Sequence, residues 1–225
     1  MSNRIPILCS LLTMATLTAV APILAQTPGI VVFSELMWSG SSASSADEWI
    51  ELYNRGTEPV DLSGWTITRG DAEDEAVMVL IPPAVISPGG VFLIANYDAD
   101  DDRSQLESAP DLVDAAVSLP NSRLRLRLYD DDPAAGQLID EADDGSGAPF
   151  AGLGGDSKAS MVRVSLDMVG TLPDAWSTAE EAVGWDAGAI ELGTPGSIPG
   201  QLQPGAEGAT QVTGSSWARL KLVGR

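Results

Sequence analysis

The sequence predicts an all-β chain, with antiparallel strands stacked in two layers around one interior. Helical periodicity is nearly absent along its 225 residues. Short apolar runs recur instead, broken by clusters of Gly, Pro, Ser, Asn and Asp, the punctuation of strands joined by tight turns. The third observation is the run 122-SRLRLRLYDDD-132, in which leucine and arginine alternate. Successive side chains of a strand point to opposite faces. Leu124, Leu126 and Leu128 therefore turn inward, and Arg123, Arg125 and Arg127 form a solvated face paired with cross-strand carboxylates. An anion-binding ladder is the competing reading of these arginines, and the surrounding negative charge weighs against it. Burying three leucines stabilises by about 5–8 kcal/mol before chain entropy is subtracted.

The elements follow in order. An apolar strand is expected over residues 30–38, and the next over 48–53. In 48-EWIELY-53 the alternation places Ile50 and Leu52 on one face and Trp49, Glu51 and Tyr53 on the other. The turn 54-NRGTEP-59 follows, with Pro59 suited to a strand entry because it has no N–H to donate. Asp61-Leu62-Ser63-Gly64 forms a second turn whose glycine can take positive φ, and Trp65 then opens a strand over 64–68. Further strands are expected at 77–81, at 91–95 after 87-SPGG-90, at 123–129, at 138–141 after 133-PAAG-136, and at 161–164. The spacing of 177-STAE-180 is that of a capping box and predicts one helical turn.

The two ends differ from the middle. Arg4, an uncharged stretch from Ile5 to Leu24 and the small Ala25 before Gln26 have the layout of a secretory signal peptide, predicted over 1–25. Ser10, Thr13, Thr16, Thr18 and Pro22 dilute the apolar stretch, which disfavours a permanent anchor, so no membrane span is expected after cleavage. The only Cys, Cys9, lies in that segment and the chain has no His. The exported domain, expected over 26–196, then has no thiol or imidazole for nucleophile–base pairs or for the usual zinc sites. Residues 197–216 read as a Gly/Pro-rich linker, and 217-WARLKLVGR-225 as a short apolar and basic tail. Thirty-two acidic against 12 basic side chains give a net charge of −20, which repels phosphate backbones and makes nucleic acid a poor partner.

One stretch resembles a known family. The run 47-DEWIELYNRGTEPVDLSGWTI-67 is similar to the lamin-tail domain, an immunoglobulin-like β-sandwich found in nuclear lamins and in many bacterial exported proteins. Ser34-Glu35 stands where the family often has Asn-Glu. The segments 86-ISPGGVFLIAN-96, 119-LPNSRLRLRLYDDDPAAGQLID-140, 158-KASMVRV-164, Trp176 and 194-TPG-196 follow in the family's order. The resemblance implies an immunoglobulin-like antiparallel sandwich. The coiled-coil rod and the prenylation signal of a lamin are missing, so filament assembly and nuclear roles do not carry over. The acidic insert 98-DADDDRSQLESAPD-111 is longer and more charged than a connector requires.

Candidate sites are few. Asp98, Asp100, Asp102 and Ser104 repeat the spacing that opens a calcium loop, but Arg103 replaces the turn glycine and Ala109 the bidentate glutamate. A complete EF-hand is thereby rejected. A looser calcium site on those four residues, supplemented by Asp130–Asp132, is retained as an expectation beside solvated acidic loops. Glu35, Glu48 and Glu51 are the carboxylates available for acid–base work, and nothing in the sequence gathers them around one cleft. The serines near 39–45 have no His to activate them and read as a flexible connection. Trp49 and Trp65 read as core, and Trp38 as an exposed platform. The expected function is a non-enzymatic module of the cell surface or periplasm that binds a protein or glycan of the cell envelope. The alternative is a calcium-stabilised adhesion or carbohydrate-binding module.

Overall fold

The protein is described here by a computed structural model covering residues 29–70 and 73–202. The expected signal peptide, the tail and most of the expected linker lie outside the described residues. Twelve strands follow one another: β1 (Val31–Met37), β2 (Trp49–Asn54), β3 (Val60–Asp61), β4 (Thr66–Arg69), β5 (Ala76–Leu80), β6 (Val85–Ile86), β7 (Val91–Ala95), β8 (Leu112–Val113), β9 (Leu126–Tyr129), β10 (Leu138–Ala142), β11 (Met161–Arg163) and β12 (Trp176–Thr178). One sheet has the order β12-β11-β1-β2-β7-β8 and the other β10-β9-β4-β5, while β3 and β6 form a short two-stranded ribbon. Every pairing is antiparallel except that of β7 with β8. The architecture is an immunoglobulin-like antiparallel β-sandwich.

The interior between the sheets follows the alternation, except that a bulge after Phe33 turns Leu36 to the core side as well. Phe33, Leu36, Ile50, Leu52 and Ile94 from one sheet meet Ile67, Val79, Leu126 and Leu128 from the other, with Leu124 beside them. Trp65 joins this core. Gly64 holds φ at 83° in the turn before it, a left-handed geometry that a side chain resists.

Three features depart from the sequence reading. The far face of the six-stranded sheet carries a second apolar layer that the two-layer expectation did not include: Trp49, expected in the core, is buried there with Met37, Leu93, Leu106 and Trp185, and Val32 packs with Leu166 and Leu202. Arg127, expected in water, is only 6% exposed. It lies on the outer face of β9 as alternation requires, but Glu75 and Glu141 close over it with ion pairs of 2.7 and 3.1 Å. Arg125 reaches the same Glu141 at 2.8 Å and is half-buried, so the cross-strand carboxylates are present while much of the solvation is not. Finally, the helical turn expected at 177–180 is strand β12, whose Ser177 pairs with Val162, and one turn of 3-10 helix precedes it at Pro173–Ala175. Pairing along β11 outweighs a local capping preference.

The segment 39–45, read as a loose connection, is pinned down. Ser39 Oγ donates to the Leu153 carbonyl at 2.8 Å, and the Ser41 N–H donates to the Ser44 carbonyl at 2.8 Å. Trp38 is half-buried, with its indole N–H donating to the Ala151 carbonyl at 2.8 Å, and is not an open platform.

Candidate functional site

The acidic loop after β7 is folded upon itself. The Asp101 N–H donates to the Asp98 carbonyl at 3.1 Å, and the Ser104 N–H to the Asp101 carbonyl at 2.8 Å. Asp101 binds the Arg103 guanidinium at 2.6 and 2.8 Å, and that pairing holds its carboxyl down to about 2. Arg103 in turn lies 4.1 Å from the centre of the Tyr97 ring. Ser104 is buried, its Oγ accepting from the Leu106 N–H at 3.1 Å. Asp130 and Asp132 belong to another turn, where they accept the N–H groups of Gln137 at 2.6 Å and Ala134 at 2.9 Å. Among the described residues no group of three or more His, Cys, Asp or Glu is placed to hold a metal ion, so Asp98, Asp100, Asp102 and Ser104 are not drawn into a ligand shell. Millimolar calcium, set against a chelator, is therefore expected to leave the melting midpoint unchanged within about 1 °C. Differential scanning fluorimetry checks this, and a clear calcium-dependent rise would support the metal reading.

The three strand glutamates separate into two environments. Glu48 lies on the core side, in phase with Ile50 and Leu52, where its carboxylate accepts the Leu119 N–H at 2.8 Å. Burial pushes it up to about 7. Glu35 and Glu51 meet on the opposite face as cross-strand partners in β1 and β2. A bulge after Phe33 puts both Ser34 and Glu35 opposite Glu51, and Ser34 Oγ donates to the Glu51 carboxylate at 2.8 Å. Both glutamates are 0% exposed. Burial raises Glu35 to about 7, and burial together with the neighbouring Glu35 raises Glu51 well above its ordinary range.

Their remaining partners come from far along the chain. Glu35 accepts from Ser160 Oγ, from the Thr194 N–H at 2.8 Å and from Thr194 Oγ1 at 2.5 Å. Glu51 accepts the Gly196 N–H at 2.9 Å. This sealed pair admits no substrate, and Glu48 lies on the other side of the sheet. The sequence reading did not gather these acids around one cleft, and it missed Ser160, Thr194 and Gly196 altogether. The one available signal was an acid on alternate positions of β2 facing another acid in β1, and reading it requires the register.

The accessible features lie elsewhere. β5 ends the four-stranded sheet, so one side of its backbone faces no neighbouring strand of that sheet. Val77 and Leu80 on this strand are 51% and 62% exposed, and Val85 in β6 is 63% exposed. A shallow hollow of about 410 Å³ adjoins the strand, lined by Arg69, Ala76, Ser118, Pro120, Ser122 and Arg123 among others.

Fold and site together define an immunoglobulin-like sandwich whose buried acids are structural and whose open features sit at a sheet edge. Residues 25–146 match the model of the Lamin Tail Domain family, and the chain belongs to that family. A comparison with curated proteins found no match. β11 and β12 lie beyond the matched residues yet complete the six-stranded sheet, with Met161 and Val162 pairing with Leu36 and Glu35 of β1.

Proposed function

We propose that this chain is an exported, non-enzymatic interaction module that takes an extended segment of an envelope protein along β5. The observation that carries the reading is the edge strand 76-AVMVL-80, uncharged and with Val77 and Leu80 exposed. Edge strands in stable domains are ordinarily blunted by lysine, proline or a bulge; β5 has a bulge at Met78, opposite Ile67 and Thr68, but neither lysine nor proline. An open edge offers main-chain hydrogen bonds for affinity and alternate side-chain positions for specificity. Pro82 and Pro83 follow the strand and bound the length of segment that fits.

Export rests on Arg4, the uncharged stretch and Ala25, with 1–25 removed and the module released to the periplasm or cell surface. No helix among the described residues is long and apolar enough to cross a membrane. The net charge of −20 favours a protein partner over nucleic acid. A glycan reading draws little support from Trp38, whose indole N–H is already bonded.

Selection from a displayed random-peptide library tests the proposal. Enriched peptides are expected to carry apolar residues at alternate positions. Val77→Lys with Leu80→Lys is expected to weaken their binding about tenfold or more while the melting midpoint holds. Enrichment of peptides that bind this double variant equally well would overturn the assignment to β5.

A further inference from the structure

The Glu35–Glu51 pair does more than fill space, because what it holds is a strap. Residues 193–202 cross the outer face of the six-stranded sheet. Gly193 pairs with the backbone before it, its N–H donating to the Glu181 carbonyl at 2.6 Å and its carbonyl accepting the Val183 N–H at 3.0 Å, and two further points fasten the rest. One is the acid pair, through Thr194 and Gly196. The other is Gln201, whose amide donates to Ser177 Oγ at 2.7 Å and the Thr178 carbonyl at 3.2 Å, with Leu202 packed on Val32 and Leu166. Gly193 fits because it has no side chain: a Cβ there would lie 2.9 Å from Glu35 Oε1 and 3.1 Å from the Trp185 ring. The Trp185 indole N–H donates to the Gly193 carbonyl at 3.0 Å, and its ring centre is 6.0 Å from that of Trp49.

Donors from Ser160, Thr194, Ser34 and Gly196 favour the ionised acids, but burial outweighs them and the surrounding charges are all of one sign. Among the described residues no ion pair reaches Glu35 or Glu51. The charged groups that face them add to the repulsion: Glu181 acts on Glu35, and Asp111 acts on Glu51. Lys158 and Arg163, which flank Ser160 in the sequence, are engaged elsewhere. Lys158 Nζ donates to the Ser39 carbonyl at 2.5 Å, and Arg163 is paired with Asp140 at 3.2 Å. Glu191, on the loop leading into the strap, is bonded to the Ser42 and Ile190 N–H groups. Two carboxylates in adjacent register, sealed from water and without a counter-ion, cannot both ionise in place.

We infer that the Glu35–Glu51 pair is a proton-dependent latch, which holds residues 193–202 against the sheet while protonated and frees them when both acids ionise. Ionisation draws water into the pair, breaks the contacts to Thr194 and Gly196, lifts Leu202 from Val32 and Leu166, and frees the Trp185 indole N–H from the Gly193 carbonyl. The sandwich core on the other side of the sheet keeps its contacts. The latch is independent of the β5 edge and stands or falls without it.

Hydrogen exchange of the protein from about pH 5 to about pH 9 tests this. The Thr194 and Gly196 amides are expected to lose protection faster than base catalysis alone predicts, by about tenfold or more relative to the β1–β2 ladder amides. Tryptophan fluorescence shifts to the red over the same range while far-ultraviolet circular dichroism holds. Glu35→Gln combined with Glu51→Gln is expected to abolish both changes. The inference is overturned if the strap amides keep pace with the ladder, if the whole sandwich opens together, or if the double variant retains the transition. Should that variant not fold, the wild-type exchange profile decides alone.

Discussion

Replacing Arg163 by alanine is expected to destabilise the domain by about 3–5 kcal/mol, the largest single effect among its polar residues. Arg163 is fully buried and ties the two sheets together. Its guanidinium meets Asp140 of β10 at 3.2 Å, donates to the carbonyls of Ser165 at 3.0 Å and Met168 at 2.6 Å, and lies 5.1 Å from the Trp176 ring centre. Asp140 also accepts the Phe33 N–H of β1 at 2.9 Å, so one carboxylate joins β10, β1 and β11. Burial raises the Asp140 carboxyl above its ordinary range, and the Arg163 charge opposes that rise. Truncation therefore leaves a desolvated acid without its counter-charge, along with two carbonyls that lose their donor. Urea unfolding measures the loss as a lower midpoint at unchanged slope. Arg163→Met with Asp140→Asn keeps an acceptor for Phe33 and removes both charges, so it is expected to be milder than the alanine variant. A loss below about 1 kcal/mol for Arg163→Ala would show that this tie does not hold the sheets.

Raising the pH from about 5 to about 8 is the second large perturbation, and it is expected to weaken the fold. Glu35 and Glu48 stand at about 7 when folded and at an ordinary 4.5 when the chain is open. A folded state that holds protons more tightly gains stability below about 4.5 and loses it as the pH climbs through about 7. Each of the two contributes on the order of 2–3 kcal/mol across that window, and Glu51 acts in the same direction. Self-repulsion of a chain with net charge −20 adds to the trend. Glu75, Asp101 and Glu191 are lowered and act in the opposite sense, losing their contribution only under more acidic conditions. The optimum thus falls on the acidic side of neutrality. Once the strap opens locally, the share of Glu35 saturates, and Glu48 on the core side carries the rest. Urea midpoints at intervals across the range check the slope, and Glu48→Gln should flatten its upper part. A midpoint that rises toward pH 8 would contradict the environments assigned to these acids.

Much of the sandwich was legible because a strand has a period of two. Leu124, Leu126 and Leu128 are buried as their alternation requires, and Ile50 and Leu52 share that interior. Turn chemistry located Trp65 behind its glycine. Less was legible where strands are short. β3, β6 and β8 have two residues each, too few to show any alternation. β12 carries a capping-box spacing that pairing with β11 overrides. The acidic loop was legible as charge but not as structure, because its aspartates engage backbone N–H groups and Arg103 of the same loop.

What the amino-acid order determined alone is which side a residue faces wherever a strand runs without a bulge. Glu51 and Trp49 point away from Ile50 however the chain packs. What covers that second side was decided only in three dimensions, by segments 100 residues and more away: Ser160, Trp185, Thr194 and Gly196 arrive there from beyond the sandwich's second sheet. The same holds for Arg127, turned outward by its position and then enclosed by Glu75 and Glu141. Facing is local geometry, repeated every second residue. Burial depends on which distant surface arrives to exclude water, and no periodicity within one strand encodes that.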